Sequence, residues 1–267
     1  LSTLAGTLTA SARVNGRWPA LSTDGKLDAS ALRIGTLALQ RAHGQWSLAS
    51  AANAPVDATL NLTELSVAAA PAAAAVNGSP GPSVSTLQLQ LKGTGRAHTL
   101  EVRGDSAARP PAWVDAVQRA APSAGSATGA SSASSATSAI LQAQGGLVDA
   151  PGAALGGWRG TLTRLDVRSA APLLQTRDVA IEALWSGVAP RVTVQPGRAE
   201  VPGGAVRWSR IAWQAATGAT PAQIEADAEV EPLRVAPLLA RAQPDFGWGG
   251  DLAVSAHVKL RSTPNFS

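Results

Sequence analysis

The chain has 267 residues, a formal net charge of +4, eight Trp, two Phe and no Cys, Met or Tyr. Without cysteine there are no disulfides, zinc-thiolate sites or cysteine nucleophiles, and no apolar run reaches the roughly 18 residues of a membrane-spanning helix. The positive charge is mostly Arg spread along the chain, which favours a solvated face over a nucleic-acid interface.

The first part of the chain alternates apolar and polar residues with period two, which predicts β-strands. We expect strands over 7–14, 26–31, 36–40, 45–49 and 57–67. Turn dipeptides predict the breaks between several of these strands, namely Asn15-Gly16, Asp24-Gly25 and His43-Gly44. Such closely spaced strands would meander, each pairing with its neighbour in sequence.

The stretch from Leu87 to Gly104 reads LQLQLKGTGRAHTLEVRG and predicts a hairpin. Its first half alternates without a break, Gly-Thr-Gly supplies a turn, and alternation resumes at Leu100. The apolar side of this hairpin faces either a packed core or a groove that holds a guest.

The pattern changes between residues 105 and 139. After two prolines, Trp113, Val117 and Ala121 recur at helical spacing, which predicts a short helix over 112–121. A low-complexity run of Ser and Ala follows. We therefore predict three parts, which are a strand-rich segment 1–104, a helix plus Ser/Ala-rich insertion 105–139, and a second strand-rich segment 140–267.

Strand patterns return after the insertion, and no fixed-length repeat is present, which disfavours a solenoid. A second short helix is predicted over 232–241. The fold class predicted is mostly all-β, a long meandering and mainly antiparallel sheet with one or two short helices. The later strands are expected over 140–144, 158–167, 179–185, 191–195, 205–214, 223–230 and 251–260.

Side chains that usually carry chemistry are scattered. His43, His98 and His257 are far apart, and none has a second histidine at metal-ligand spacing, so we predict structural roles at turns for the first two. The motif Gly93-Thr94-Gly95 lacks the third glycine of a dinucleotide-binding loop. The sequence predicts no catalytic residue, cofactor or metal site, although two facing carboxylates of a carbohydrate-active enzyme stay open.

A cluster of carboxylates invites a calcium or general-acid interpretation. These residues alternate with apolar ones, so a strand would place all the carboxylates on one wet face and the apolar side chains on the other. We favour the wet face for this cluster, which consists of Glu225, Asp227, Glu229 and Glu231.

Several segments occur in an order that is characteristic of a known family. The alternating Leu strand runs into Gly93-Thr94 and His98, and the segments WRGTLTRL at 158–165 and GWGGDL at 247–252 follow, with Pro-Leu pairs at 172–173 and 232–233. This order resembles the TamB and AsmA-like family of bacterial envelope proteins. The resemblance covers essentially the whole chain, but the family's membrane anchor and C-terminal region are missing. We therefore expect an internal or truncated segment.

The resemblance implies a long sheet curled into a U-shaped trough, or β-taco, with an apolar lining. It also implies a periplasmic location, in a parent protein anchored to the inner membrane of a Gram-negative bacterium. Such proteins are associated with phospholipid transport to the outer membrane, and TamB also with a barrel partner, TamA, and with outer-membrane protein assembly. The many alternating strands and the scarcity of bulky core residues independently suit an open trough.

On this hypothesis the apolar faces shield lipid acyl chains, and no nucleic acid is bound. The alternative is a structural or adhesive β-protein, similar to a secreted passenger, with no lipid guest. Side-chain parity predicts these groove-lining residues: Leu87, Leu89, Leu91, Leu100, Val102, Leu162, Val179, Ile181, Val192, Val194, Ile224, Val230, Leu252, Val254 and Val258.

Overall fold

The structure is a computed structural model, and its described residues form an antiparallel β-sheet. They are residues 4–17, 20–35, 37–51, 53–67, 83–106, 136–150, 153–169, 172–185, 189–201, 203–218, 220–234 and 253–262. Within these ranges fifteen strands belong to one hydrogen-bonded sheet and no residue is helical. The predicted all-β, meandering, antiparallel fold is confirmed. Nothing in the described ranges forms a helix that could span a membrane.

The chain divides into two compact units, residues 1–109 with 134–142 and residues 110–133 with 143–267. The three-part division into 1–104, 105–139 and 140–267 stays a prediction. The strands of the first unit follow one another in chain order, and the last of them, β7, continues into the second unit. They are β1 Leu4–Arg17, β2 Ala20–Ile34, β3 Leu37–Ala49, β4 Pro55–Val67, β5 Ser83–Thr94, β6 His98–Ser106 and β7 Thr137–Ala150.

The register of β1 to β6 brings apolar residues into rows that cross the sheet, because directly paired residues of antiparallel strands share a face. One row contains Ala10, Leu27, Gly44, Leu60, Leu89 and Val102. The next contains Ala12, Gly25, Trp46, Ala58, Leu91 and Leu100. Six consecutive strands therefore share one continuous apolar face.

A line of irregular residues crosses the first unit and bends its strands. Ala31 and Glu64 have left-handed φ angles of 52°, and the β1–β2 register shifts beside Gly6, whose φ is 110°. Such irregularities bend a strand sharply. Within a regular strand, apolar residues of one face are two positions apart. Across the line of bends they are three positions apart, so the apolar face continues on the same side of the sheet.

The strands of the second unit after β7 form a similar meander with two interruptions. They are β8 Ala153–Arg168, β9 Pro172–Thr176, β10 Val179–Leu184, β11 Arg191–Val194, β12 Gly197–Val201, β13 Gly204–Gln214, β14 Gln223–Arg234 and β15 Ala253–Ser262. The register of β10 on β11 continues unshifted into β9 on β12. Each pair, β9 with β10 and β11 with β12, thus acts as one long strand broken by a short bend.

The predicted turns at Asp24-Gly25 and His43-Gly44 are wrong, because each dipeptide lies inside a strand. Asn15-Gly16 lies near the end of β1, where Gly16 has a positive φ of 99°. The predicted strands 36–40 and 45–49 accordingly merge into β3. Gly25 is paired directly with Trp46, and a Cβ atom at Gly25 would collide with the indole ring. Glycine at this position makes room for an aromatic side chain on the next strand, which local sequence does not reveal.

The helix predicted over 232–241 is wrong at its start, because residues 232–234 complete β14. Leu233 and Arg234 pair with Val254 and Ala253 of β15, which keeps this segment in the sheet. The helix predicted over 112–121 and most of the insertion lie outside the described residues. The hairpin predicted over 87–104 is confirmed, with the turn at 95–97 closed by hydrogen bonds between Thr94 and Ala97.

Candidate functional site

The apolar face of the first unit is half-buried. The five predicted groove residues of the hairpin all lie on it, and each is partly exposed, with none fully buried. Leu89 is paired with Val102, and Leu91 with Leu100. A face packed against a second layer would bury such side chains, so the described residues leave this face accessible.

The opposite face of the same strands is polar. Gln88, Gln90 and Lys92 of β5 alternate with the leucines and are exposed. They are paired with Arg103, Glu101 and Thr99 of β6. One strand pair therefore presents a face of apolar side chains and a face of amides and charges.

The deepest part of the apolar face in the first unit lies at the line of strand bends. Ala29, Leu39 and Ala42 are buried there, and they pack against Leu32, Leu62 and Leu65 from both sides of the line. Contact across a bend requires the apolar face to fold inward at that line. The apolar face is thus locally concave, and we call this line of buried residues the crease.

The predicted groove residues of the second unit share an apolar face of that unit. Leu162 is paired with Val179, and Ile181 with Val194. Val192 and Ile224 are both paired with Trp213, while Val230 is paired with Val206. Their contact with a guest stays a prediction.

Burial along this second face decreases toward its last strand. Val179 is 2% exposed, whereas Val254 and Val258 of β15 are 45% and 49% exposed. β15 pairs only with β14 among the described residues, so its apolar side chains have a neighbouring strand on one side alone. Leu252 lies outside the described residues.

The sequence prediction missed the contribution of the first four strands to the apolar face. Leu60 and Leu62 of β4 are paired with Leu89 and Leu87, and Ala42 is paired with Leu62. A signal was present, because the apolar residues 58, 60 and 62 alternate with polar residues just as the leucines of β5 do. The predicted turns within β2 and β3 concealed that continuity.

Tryptophan rings lie flat over glycines on the apolar face. Trp208 is paired with Gly197, and its ring carbon Cζ2 lies 2.5 Å from the place where a Cβ of that glycine would sit. The Trp208 indole nitrogen donates to the Gln195 carbonyl oxygen at 2.8 Å. Trp46 covers Gly25 in the same way in the first unit. Because each large ring covers a small residue, the surface of the apolar face is comparatively smooth.

Carboxylates of β14 lie on the polar face, as predicted, and form ion pairs with both neighbouring strands. Asp227 accepts from His257 at 2.6 Å, and Glu231 binds Arg198 at 3.0 Å and Arg207 at 2.9 Å. The His257 hydrogen bond lowers the pKa of Asp227, and the Arg198 hydrogen bond lowers that of Glu231. These groups are neutralised by cross-strand partners, as expected for a structural network.

Among the described residues, the most buried charge is that of Asp166 of β8, whose side chain is 4% exposed. Its carboxylate accepts from Arg164 at 2.7 Å and from Arg168 at 2.5 Å, and Gln175 of β9 donates at 3.3 Å. Hydrogen bonds from the two guanidinium groups hold the Asp166 pKa far below its ordinary value. The cluster ties β8 to β9 beside the bend that precedes β10.

The histidines take structural positions. His98 begins β6 just after the turn, with its Nδ1 atom 3.0 Å from the Thr94 carbonyl oxygen. The turn role predicted for His43 is wrong, because this residue lies in the middle of β3 and its Nδ1 is 2.7 Å from an Asp28 carboxylate oxygen. No group of three or more metal-ligating side chains occurs in the part of the chain that the structure describes.

Surface concavities also occur among polar side chains. One of about 470 Å³ is lined mainly by Gln45, Thr59, Asn61, Gln88 and Gln90. A guest bound to the apolar face would lie along the rows of apolar side chains. Such binding does not require an enclosed cavity.

Comparisons with known proteins do not assign the chain. No protein-family model matches the sequence, and neither a curated protein nor a solved structure is significantly similar to it.

Proposed function

We propose that the chain is a segment of a periplasm-spanning, TamB-like protein whose apolar face shields lipid acyl chains during phospholipid transport between the inner and outer membranes. The observation that supports this most is the continuous, half-buried apolar face that crosses six strands. The order of family-like segments supports the same assignment. The segment acts without catalysis.

The crease supports an inward-folded lining on a local scale. Its buried side chains, such as Ala29 and Ala42, are small, so larger residues on both sides can approach one another across the bend. This geometry favours a trough-like curvature with the apolar face inside. The U-shaped trough of the proposal extends this local curvature along the sheet.

The energy of acyl-chain burial is sufficient for this role. A buried methylene contributes about 0.8 kcal/mol, so a chain of about sixteen carbons gains on the order of 10 kcal/mol when it is fully shielded from water. Because apolar contact is non-directional, successive rows offer a lipid nearly equal free energy. A lipid would then move from row to row without a deep trap.

Other parts of the parent protein would supply the membrane anchor and the contact with a TamA-like outer-membrane barrel. Support for outer-membrane protein assembly belongs to the same proposal. The alternative of a structural or adhesive β-protein differs in one measurable respect, because its apolar face would hold no lipid.

We expect the purified chain to carry phospholipid that mass spectrometry detects after solvent extraction. Replacement of Leu89 or Val102 by Asp places a carboxylate on the apolar face and should lower co-purified lipid about tenfold, since an uncompensated charge in apolar surroundings costs more than the 1.4 kcal/mol that corresponds to a factor of ten. Gln88→Asp and Gln90→Asp are matched controls on the polar face of the same strand.

The controls show whether lipid loss depends on which face carries the new carboxylate or only on the added charge. Lipid should stay at the wild-type amount in Gln88→Asp and Gln90→Asp, with circular dichroism showing that all four variants are folded. Equal lipid loss from both faces, or a folded wild-type chain free of lipid after expression in a bacterial periplasm, contradicts the proposal and favours the structural or adhesive alternative.

A further inference from the structure

The apolar face of the first unit is more polar at one end of its strands than at the other. At that end β1, β3 and β5 finish and β2, β4 and β6 begin, and we call it the turn end. The row of the apolar face closest to the turn end contains two polar residues, Thr23 and His98. The next three rows, up to the crease, contain only Ala, Gly, Leu, Val and Trp.

Trp46 lies in the row next to these polar residues. Its ring covers Gly25, and its indole nitrogen donates to the Thr23 hydroxyl at 3.3 Å, in the direction of the turn end. Tryptophan takes this orientation at boundaries between water and hydrocarbon, with its apolar body in one and its N–H toward the other. The apolar face therefore has a polar end and an apolar end along the strands.

The turn end carries positive charge. In the sequence, the links 18–19, 50–54 and 95–97 contain no Asp or Glu, while Arg17 precedes the first link and Arg96 lies in the last. Both arginines are exposed. Exposed guanidinium groups beside an apolar face suit the phosphate of a lipid head group.

The second unit repeats this arrangement by itself. Trp213 lies one residue before the end of β13, and Trp158 belongs to the same row. The links 185–190 and 215–222, which follow the strand ends beside this row, also contain no Asp or Glu. The buried cluster around Val179 lies at the opposite end of β10. Tryptophan thus lies near the turns, and the deepest burial lies away from them, in each unit.

The distance from Trp46 to the crease suits an acyl chain. Ala42 and Leu39 of the crease lie four and seven residues from Trp46 along β3, which corresponds to roughly 13 and 23 Å. One leaflet of a bilayer has a hydrocarbon layer about 15 Å thick, half that of the whole membrane. An acyl chain that begins beside Trp46 would therefore end in the crease.

We propose that a phospholipid on the apolar face of the first unit lies along the strands, with its head group at the turn end and its acyl chains directed toward the crease. Arg17 and Arg96 attract phosphate groups at two places along the turn end, and Trp46 lies where the acyl chain begins. The inference rests on the proposed lipid-binding function and adds a direction to it.

The test uses the absence of cysteine from the native sequence, which allows a single label. A small fluorescent maleimide is attached to Leu100→Cys, in the row of Trp46, or to Leu87→Cys, which pairs with Leu62 beside the crease. Each variant is incubated with phosphatidylcholine vesicles and then separated from them. The lipid carries a spin-label quencher either near its head group or near the methyl end of an acyl chain.

We expect the head-group quencher to act at least twofold more strongly on Leu100→Cys than on Leu87→Cys, and the methyl-end quencher to show the reverse. Gln88→Cys, on the exposed polar face, should be quenched by neither lipid, and circular dichroism checks that all three variants are folded. The same ratio for both lipids, or the opposite order, overturns the orientation while lipid binding stands. Quenching at neither apolar position contradicts lipid binding and the orientation with it.

The charges are tested with a second pair of lipids. Replacement of both Arg17 and Arg96 by Glu should lower retained phosphatidylglycerol about threefold, a modest change because exposed ion pairs are weak. Diacylglycerol, which has acyl chains but no phosphate, should be retained as before. Lys26→Glu with Arg41→Glu is the matched control, since both residues are exposed on the polar face. Equal loss of the two lipids, or the same loss in the control, overturns the placement of the head group.

Discussion

Replacement of Trp208 by Ala should lower the free energy of unfolding by about 3 to 5 kcal/mol, the range for removal of a large buried aromatic side chain. Trp208 is 9% exposed and packs with Val179 and Ala199 in the buried cluster of the second unit. The change also removes the donor to the Gln195 carbonyl and uncovers Gly197. Urea denaturation followed by far-ultraviolet circular dichroism measures the loss.

The matched control is Trp185→Ala. Trp185 is 47% exposed, so its removal creates little cavity and should cost about 1 kcal/mol or less. Similar losses for the two variants would show that the ring over Gly197 has no special role.

Replacement of Asp166 by Asn should destabilise the chain by about 2 kcal/mol at neutral pH, because it removes the buried carboxylate that two guanidinium groups share. Arg164 and Arg168 are partly exposed, and water compensates part of the loss. Asp28→Asn is the control, since Asp28 and its partner His43 are both exposed. A loss no larger than that of the control would contradict the assignment.

The same variant should change how stability depends on pH. The pKa of Asp166 is lowered in the folded chain, so its stabilising contribution is complete above its ordinary pKa of about 3.9 and declines as pH falls below that value. The wild-type chain should therefore lose more stability between pH 6 and pH 3 than Asp166→Asn. Equal losses would mean that Asp166 does not contribute to acid sensitivity.

Local patterns predicted most of the strands and the faces of the sheet, but not the short strands β9 and β12. The hairpin over 87–104 and the parity of its leucines follow from the two-residue period, because successive side chains of a strand point to opposite faces. The same reasoning placed the β14 carboxylates on one polar face. Each inference depends only on residues close together in sequence.

The errors arose where a residue on another strand decides the outcome. Asp24-Gly25 is a typical turn dipeptide, yet Trp46 from the next strand lies over the glycine and the pair stays extended. Pro232 was expected to begin a helix, but pairing of the following residues with β15 holds this end of β14 in the sheet. Local propensity is weaker than these cross-strand contacts.

The amino-acid sequence by itself determined the all-β class and the alternation of apolar and polar faces, since these features are written in residue order. Only the tertiary structure decided how the strands align. Register brought six strands into common apolar rows, aligned their bends into the crease, and placed Gln175 of β9 beside Asp166 of β8. The physical reason is that hydrogen-bonded pairing joins residues distant in sequence, and burial depends on the neighbours that pairing supplies.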